Sequence, residues 1–206
     1  MDGGPFSFSA GQYCSVTFAD LGPRDYSMAN TPDNETIELH VRQIAGGASS
    51  AYVTKTLAVG EVVVVEGPFG TSWLREAHRG KIYAVAGGSG LAPIKAMVER
   101  ALDLGMDQDI RLYFGVRDEN DLYLEDHFNR LCADHINLAF IPVLSEPSGT
   151  TERRTGQLHR ALATDVGDLD GCKAYLAGPP PMVEAATALL LERGMRRDDI
   201  HADAFY

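Results

Sequence analysis

The residues of this chain best placed to do chemistry lie in a glycine-rich loop, Ala86-Gly87-Gly88-Ser89-Gly90-Leu91-Ala92-Pro93. A short apolar run precedes it and a predicted helix follows, with Pro93 in that helix's first turn. Glycine lets backbone approach an anion closely, and a helix start offers free N–H groups and a positive dipole to a diphosphate. A strand-to-helix turn at the carboxyl end of an open α/β sheet is where nucleotides bind. Counted from Gly88 the loop reads G-x-G-x-x-P, so Pro93 stands where a dehydrogenase fingerprint has its third glycine. The bland alternative is a Gly-rich turn ahead of any helix.

Four shorter motifs accompany it: Arg24-Asp25-Tyr26-Ser27, Gly47-Ala48-Ser49-Ser50, Phe114-Gly115-Val116-Arg117 and Gly178-Pro179-Pro180-Pro181-Met182. Each has an ordinary reading when taken alone. Arg24, Tyr26 and Ser27 can be a surface charge, a half-buried ring and a turn; Gly47 and Ser50 a turn and an N-cap. Arg117 can equally be a solvated charge, and a proline run often opens a helix. Their order along one chain is what gives them weight.

Other chemistries are disfavoured. Cys14, Cys132 and Cys172 are far apart and form no C-x-x-C pair, so no iron–sulfur cluster is expected in this chain. Six histidines show no ligand spacing, and no metal is predicted. With 18 Lys plus Arg against 29 Asp plus Glu, the net charge of −11 disfavours nucleic acid. No apolar run is long enough to cross a bilayer, and the start, Met1-Asp2-Gly3-Gly4-Pro5, lacks the regions of a signal peptide. A cytoplasmic protein that does not engage membranes is the expectation.

The elements that must hold these motifs come in two styles. Up to about residue 75 the chain reads as strands and turns: 12–18, an alternating stretch at 36–44, and a buried strand at 61–66 closed by the turn Gly67-Pro68-Phe69-Gly70. A short helix is predicted at 50–57. This pattern fits a small antiparallel barrel. From Lys81 onward strands at 82–86, 110–116, 136–143, 173–177 and 200–206 alternate with helices at 91–104, 123–132, 157–163 and 181–193. Such alternation predicts a doubly wound parallel sheet. The expected division is 1–75 and 76–206, with the boundary in the charged stretch Arg75 to Gly80.

With Ala10-Gly11-Gln12-Tyr13 ahead of it and Gly47-x-x-Ser50 behind it, the Arg24-x-Tyr26-Ser27 motif resembles the ferredoxin–NADP reductase superfamily. The likeness is greatest to reductase components of bacterial aromatic-ring dioxygenases and monooxygenases, and to stand-alone flavin reductases. It runs over essentially the whole chain. The resemblance implies a flavin barrel followed by a nicotinamide-binding α/β domain, with FAD and NADH as cofactors. Arg24 would contact a flavin phosphate, Tyr26 would stack on the isoalloxazine, and Ser27 would offer its hydroxyl to flavin N5. Tyr26 and Ser27 are the candidate catalytic residues. His40, Val41 and Arg42 would lie under the flavin and its ribityl chain, and Gly47 with Ser50 would open a helix toward a pyrophosphate. Gly88, Gly90 and Pro93 would form the pyridine-nucleotide loop, and Arg117 would approach its ribose. Gly178, Pro179 and Met182 would dock the nicotinamide, with Phe205 covering the flavin face. Relatives carry cysteine before the Gly-Pro-Pro run; Ala177 stands there instead, which removes any thiol contribution.

Three further expectations follow from the resemblance. The barrel lacks a strand that relatives place before the region beginning at Phe8, so it is expected to be truncated at its amino end. No ferredoxin domain is fused to the core, so electrons would leave to a separate ferredoxin or oxygenase component. The alternatives are a reductase using dissociable flavin, and a non-catalytic module. Leu144-Ser145-Glu146 replaces the Ser-Arg that holds the 2′-phosphate in NADPH-using relatives, so NADH is expected over NADPH. Arg153-Arg154 is the competing phosphate clamp.

Overall fold

The computed structural model describes residues 6–205; the leader reading of Met1 to Pro5 and the placing of Tyr206 in the last strand fall outside the described residues. In the amino-terminal part, β1 (Tyr13–Phe18), β2 (Arg24–Ser27) and β3 (Val63–Phe69) form an antiparallel sheet in the order β2-β1-β3. Along β1 the side chains alternate, so Cys14, Val16 and Phe18 turn inward onto Phe8 and Met28. Helix α1 (Ala48–Lys55) lays Tyr52 and Val53 against the same small core.

Six parallel strands follow: β4 (Ile82–Gly87), β5 (Ile110–Val116), β6 (Leu138–Leu144), β7 (Arg154–Thr155), β8 (Lys173–Gly178) and β9 (Ile200–Ala204). Their order is β7-β6-β5-β4-β8-β9. Central β4 is buried along its whole length because both faces are covered, which is why its sequence is continuously apolar. Ile82, Ala84 and Ala86 face a core shared with α2 (Leu91–Asp103) and α3 (Glu125–Asp134). Tyr83 and Val85 face the opposite core, with α4 (Leu158–Asp165) and α5 (Pro180–Glu192). From β4 the chain winds outward to β7, then returns to the other side of β4 as β8. That reversal opens a crevice at the carboxyl ends of β4 and β8.

The two parts share packing. Ala10 and Leu74, from the first part, belong to the same buried cluster as Met97 on α2 and as β4 and β5. The Leu74 N–H donates to the Ala10 carbonyl at 3.0 Å, drawing the connecting segment against the first sheet.

Three sequence expectations need correction. The alternating stretch 36–44 forms no strand; Leu39 makes one bridge to Met28, while Glu38 and His40 turn their side chains toward the second part. The valine run is not buried: Val62 is 87% and Val64 56% exposed, because β3 is an edge strand with no second layer over it among the described residues. That strand also runs through the expected turn to Phe69. The antiparallel arrangement expected of the first part is present, as a sheet of three strands among the described residues.

Candidate functional site

A cleft of about 1080 Å3 opens at the crevice. Its walls are the loops after β4, β5, β6 and β8, the turn into α4, and residues 40–45 of the first part. The floor is built from glycine. Gly90 adopts ordinary helical dihedrals, yet a Cβ there would fall on the Ala177 carbonyl and 2.7 Å from the Gly178 nitrogen. A Cβ on Gly178 would lie 2.8 Å from the Gly87 carbonyl oxygen, and one on Gly87 would lie 2.5 Å from Met182 Sδ. The loops of β4 and β8 therefore meet backbone to backbone. Gly88 turns between them with φ +53°, opening the short 3-10 turn Gly88–Gly90 that leads into α2. The Phe205 N–H donates to the Gly178 carbonyl at 3.0 Å, holding that aromatic residue beside the Gly-Pro-Pro loop.

A polar chain crosses from one part to the other at the cleft wall. The Tyr123 hydroxyl lies 3.0 Å from His40 Nδ1 and 3.3 Å from the Gly88 carbonyl. On its other side the His40 ring donates from Nε2 to Glu38 Oε1 at 3.0 Å. Burial, partly opposed by Glu38, lowers the His40 pKa below its ordinary value. In the neutral ring Nε2 carries the proton for Glu38, and Nδ1 accepts from Tyr123. Burial, and then Glu38, raises the Tyr123 pKa well above its ordinary value, so the hydroxyl keeps its proton.

The first part offers two further anion-facing features. The first intrahelical bond of α1 runs from Ala51 N–H to the Gly47 carbonyl at 3.0 Å, so the N–H groups of residues 48–50 stand ahead of the ladder. The Ser50 hydroxyl accepts from Ile44 N–H at 3.1 Å and donates to the Gly47 carbonyl at 3.1 Å. It shapes the loop before the helix; Gly47 itself is the N-cap. A Cβ at Gly47 would come within 2.7 Å of that hydroxyl, which is the local reason for glycine. Arg24 is exposed on β2, and one of its guanidinium donors is used on the Pro23 carbonyl at 2.8 Å. Tyr26 is half-buried edge-on to Phe18, and Ser27 is buried at the end of β2.

At the far end of the cleft, Glu146 N–H donates to the Arg117 carbonyl at 2.8 Å, so the two residues are neighbours. The competing arginines are engaged elsewhere. Arg153 pairs with Glu125 at 2.6 Å and Glu119 at 3.4 Å, and Arg154 with Asp165 at 2.5 Å.

Of the residues singled out from sequence, His40, Val41, Arg42, Gly88, Arg117, Pro179 and Met182 line one cleft. Gly90, Pro93, Gly178, Phe205 and Glu146 sit directly behind or beside it. Arg24, Tyr26, Ser27, Gly47 and Ser50 lie off its wall, on β2 and at α1. Sequence reasoning missed Glu38, Lys95 and Tyr123, which act across the seam, and Gln157 and His159, which line the cleft. Lys95 carried one usable signal, a charge on the otherwise apolar stretch Leu91 to Val98.

The cleft, its glycine floor and the free N–H groups of α1 fit two phosphate-bearing cofactors. Residues 84–188 match the family model described as oxidoreductase NAD-binding domain, and residues 4–73 the one described as oxidoreductase FAD-binding domain. The chain is 40% identical over 202 residues to the ferredoxin–NAD(P)(+) reductase component of the naphthalene 1,2-dioxygenase system of Pseudomonas putida, covering 98% of this chain and 62% of that protein. It is 36% identical to the phenol 2-monooxygenase reductase component of Pseudomonas sp. strain CF600, covering 98% of this chain and 59% of that one. Among solved structures, the Amycolatopsis cytochrome P450 reductase GcoB superposes with a TM-score of 0.92 at 35% identity, over 98% of this chain and 62% of that one. The chain thus spans about three fifths of the length of these relatives. With both family models matched in order along one chain, the protein belongs to the FAD- and NAD-binding oxidoreductases of the ferredoxin-reductase type.

Proposed function

We propose that this chain is the reductase core of an oxygenase-type system, taking electrons from NADH through bound FAD to a separate ferredoxin or oxygenase component in the cytoplasm. The carrying observation is the cleft in which residues 40–45 of the first part face the glycine loops of β4 and β8. A reductase needs that juxtaposition, because its two cofactors must meet at van der Waals distance. FAD, held by these residues, would supply the redox chemistry, as a hydride acceptor able to give up electrons one at a time.

The chain's own residues bind, orient and exclude water. On this reading residues 1–75 hold the flavin and 76–206 the nucleotide. Arg24, with donors to spare on an exposed face, takes a flavin phosphate, and the α1 N–H groups take the pyrophosphate. Tyr26 supplies a flat apolar contact and Ser27 a hydroxyl at the reacting edge. Gly88, Gly90 and Pro93 shape the dinucleotide loop, Pro179 and Met182 the nicotinamide end, and Phe205 covers the flavin. Arg117 and Glu146 face the adenosine ribose.

Absorption spectroscopy tests the proposal. Purified protein titrated with FAD should retain a flavin spectrum after gel filtration, and NADH added without oxygen should bleach it. Arg24→Ala should weaken FAD binding roughly ten- to a hundredfold, the effect of losing a charge-assisted contact worth about 1.5–3 kcal/mol. A chain that stays colourless with FAD would remove the reading.

A further inference from the structure

Among the described residues, Lys95 is the one charged side chain that is fully buried, at 6% exposure. Burying an ammonium costs several kcal/mol on the order-of-magnitude scale unless its donors are met, and here three acceptors meet them. Lys95 Nζ donates to the Ala29 carbonyl at 3.0 Å, to Glu38 Oε2 at 3.2 Å and to Glu99 Oε2 at 3.1 Å. Glu99 lies one turn along the same helix and in turn takes His127 Nε2 at 2.6 Å. The other two acceptors belong to the opposite part. Ala29 is two residues past Ser27, at the end of the segment that carries Tyr26 and Ser27. Glu38 holds His40 through its second oxygen, and His40 meets Tyr123 beside Gly88.

Lys95 stands one turn into α2, the helix opened by the Gly88–Gly90 loop. The same ammonium therefore grips the end of the proposed flavin strand and, through Glu38 and His40, the cleft wall. An apolar seam alone would leave the two parts free to slide, since dispersion contacts carry little directional preference. Two directed bonds across the seam, from one buried cation to Ala29 and Glu38, do not.

We propose that Lys95 is a positioning residue that sets the spacing between the Arg24–Ser27 strand and the Gly88–Gly90 loop, and with it the distance over which hydride passes. This rests on the proposed function and deepens it. The energetic reason is that a misplacement of about 1 Å between reacting groups can cost on the order of a hundredfold in rate.

The experiment compares wild type with Lys95→Met, which keeps the stem and removes the cation. Amide exchange is read on both proteins without added cofactor. Residue 29 and residues 38–42 should exchange at least tenfold faster in the variant, with β4 and β5 unchanged. After FAD loading, stopped-flow reduction by NADH should slow at least tenfold. FAD and NAD+ dissociation constants should stay within threefold, and the long-wavelength nicotinamide–flavin charge-transfer band should weaken. A lowered melting temperature with wild-type reduction rate and band would reduce Lys95 to a structural anchor and overturn the proposal. Should Lys95→Met fail to fold or to load FAD, Glu38→Gln decides, because the Glu38 side chain is 45% exposed and tolerates replacement. It should slow the same step several-fold, and a wild-type rate there overturns the proposal. Wild type is tested first: if NADH does not bleach it, the proposed function fails, independently of Lys95.

Discussion

His40 Nδ1 and the Tyr123 hydroxyl lie 3.0 Å apart, with the two rings crossed edge to face at 79°. They come from opposite parts of the chain. Tyr123→Phe keeps the ring, and with it the edge contact to Phe114, but deletes the hydroxyl shared by His40 and Gly88. Losing such a bond costs about 0.5–1.5 kcal/mol, and each kcal/mol moves the melting point by about 2–4 °C in a chain of this size. A thermal melt indistinguishable from wild type would show that the contact contributes nothing.

Cofactor preference follows from the engagement of the arginines. Arg153 and Arg154 are each held by carboxylates, while Glu146 is joined to Arg117 through its backbone N–H. An NADPH phosphate would meet the Glu146 carboxylate with Arg153 and Arg154 already engaged, leaving Arg117 alone to offset it. NADH should exceed NADPH at least tenfold in kcat/KM, and Glu146→Arg should narrow the gap. Equal efficiency with both cofactors would refute this arrangement.

Gly90→Ala tests the floor of the cleft. Gly90 has helical dihedrals that alanine adopts freely, so backbone conformation alone would permit the replacement. The added Cβ nevertheless falls on the Ala177 carbonyl and 2.7 Å from the Gly178 nitrogen, both of them backbone. Overpacking of that kind costs about 1–3 kcal/mol, and here it should win. The variant should melt lower and bind NAD+ more weakly; a gain in stability would sink the close-approach argument.

Acid should destabilise the fold through His201. Its ring stacks on Tyr175 with Nε2 buried and unpartnered, and burial, aided by Arg75 and Lys173, lowers its pKa to about 4. The unfolded chain takes up that proton near the ordinary value of 6.5. Between pH 6.5 and 4 the unfolded state thus binds more protons, and stability falls as pH falls. Asp203, whose pKa is raised by burial and then by Asp25, acts in the opposite sense. Urea midpoints measured across this window should drop, and His201→Phe, which keeps a stacking ring, should flatten the decline. An unchanged slope in that variant would assign the acid response to other groups.

The α/β half was legible because both faces of its sheet are covered. Strand β5 was expected at its observed bounds, and the apolar run of β4 needed no tertiary information. The first half was less so. Alternation at 36–44 arises there from side chains reaching across a seam, Glu38 to Lys95 and His40 to Tyr123, and periodicity cannot tell that from a pleat. Val62 and Val64 read as core by type, yet an edge strand leaves them in solvent. Two-residue β7 is too short to carry a pattern. Within the site, loop glycines were readable from spacing, whereas Lys95 showed only as a charge on an apolar helix face until the fold set three acceptors around it.

The shared packing of Ala10 and Leu74 with Met97 has an evolutionary and practical consequence. A recombination break anywhere between residues 75 and 81 would look clean on the chain, yet it would cut through one hydrophobic mass. A graft of a foreign first half must bring side chains that fill the hollow over Met97, or the hybrid begins life with a hole there. Lineages that exchange these halves should therefore exchange the facing surface of α2 with them, and a calorimetric scan of the intact chain should show one cooperative endotherm.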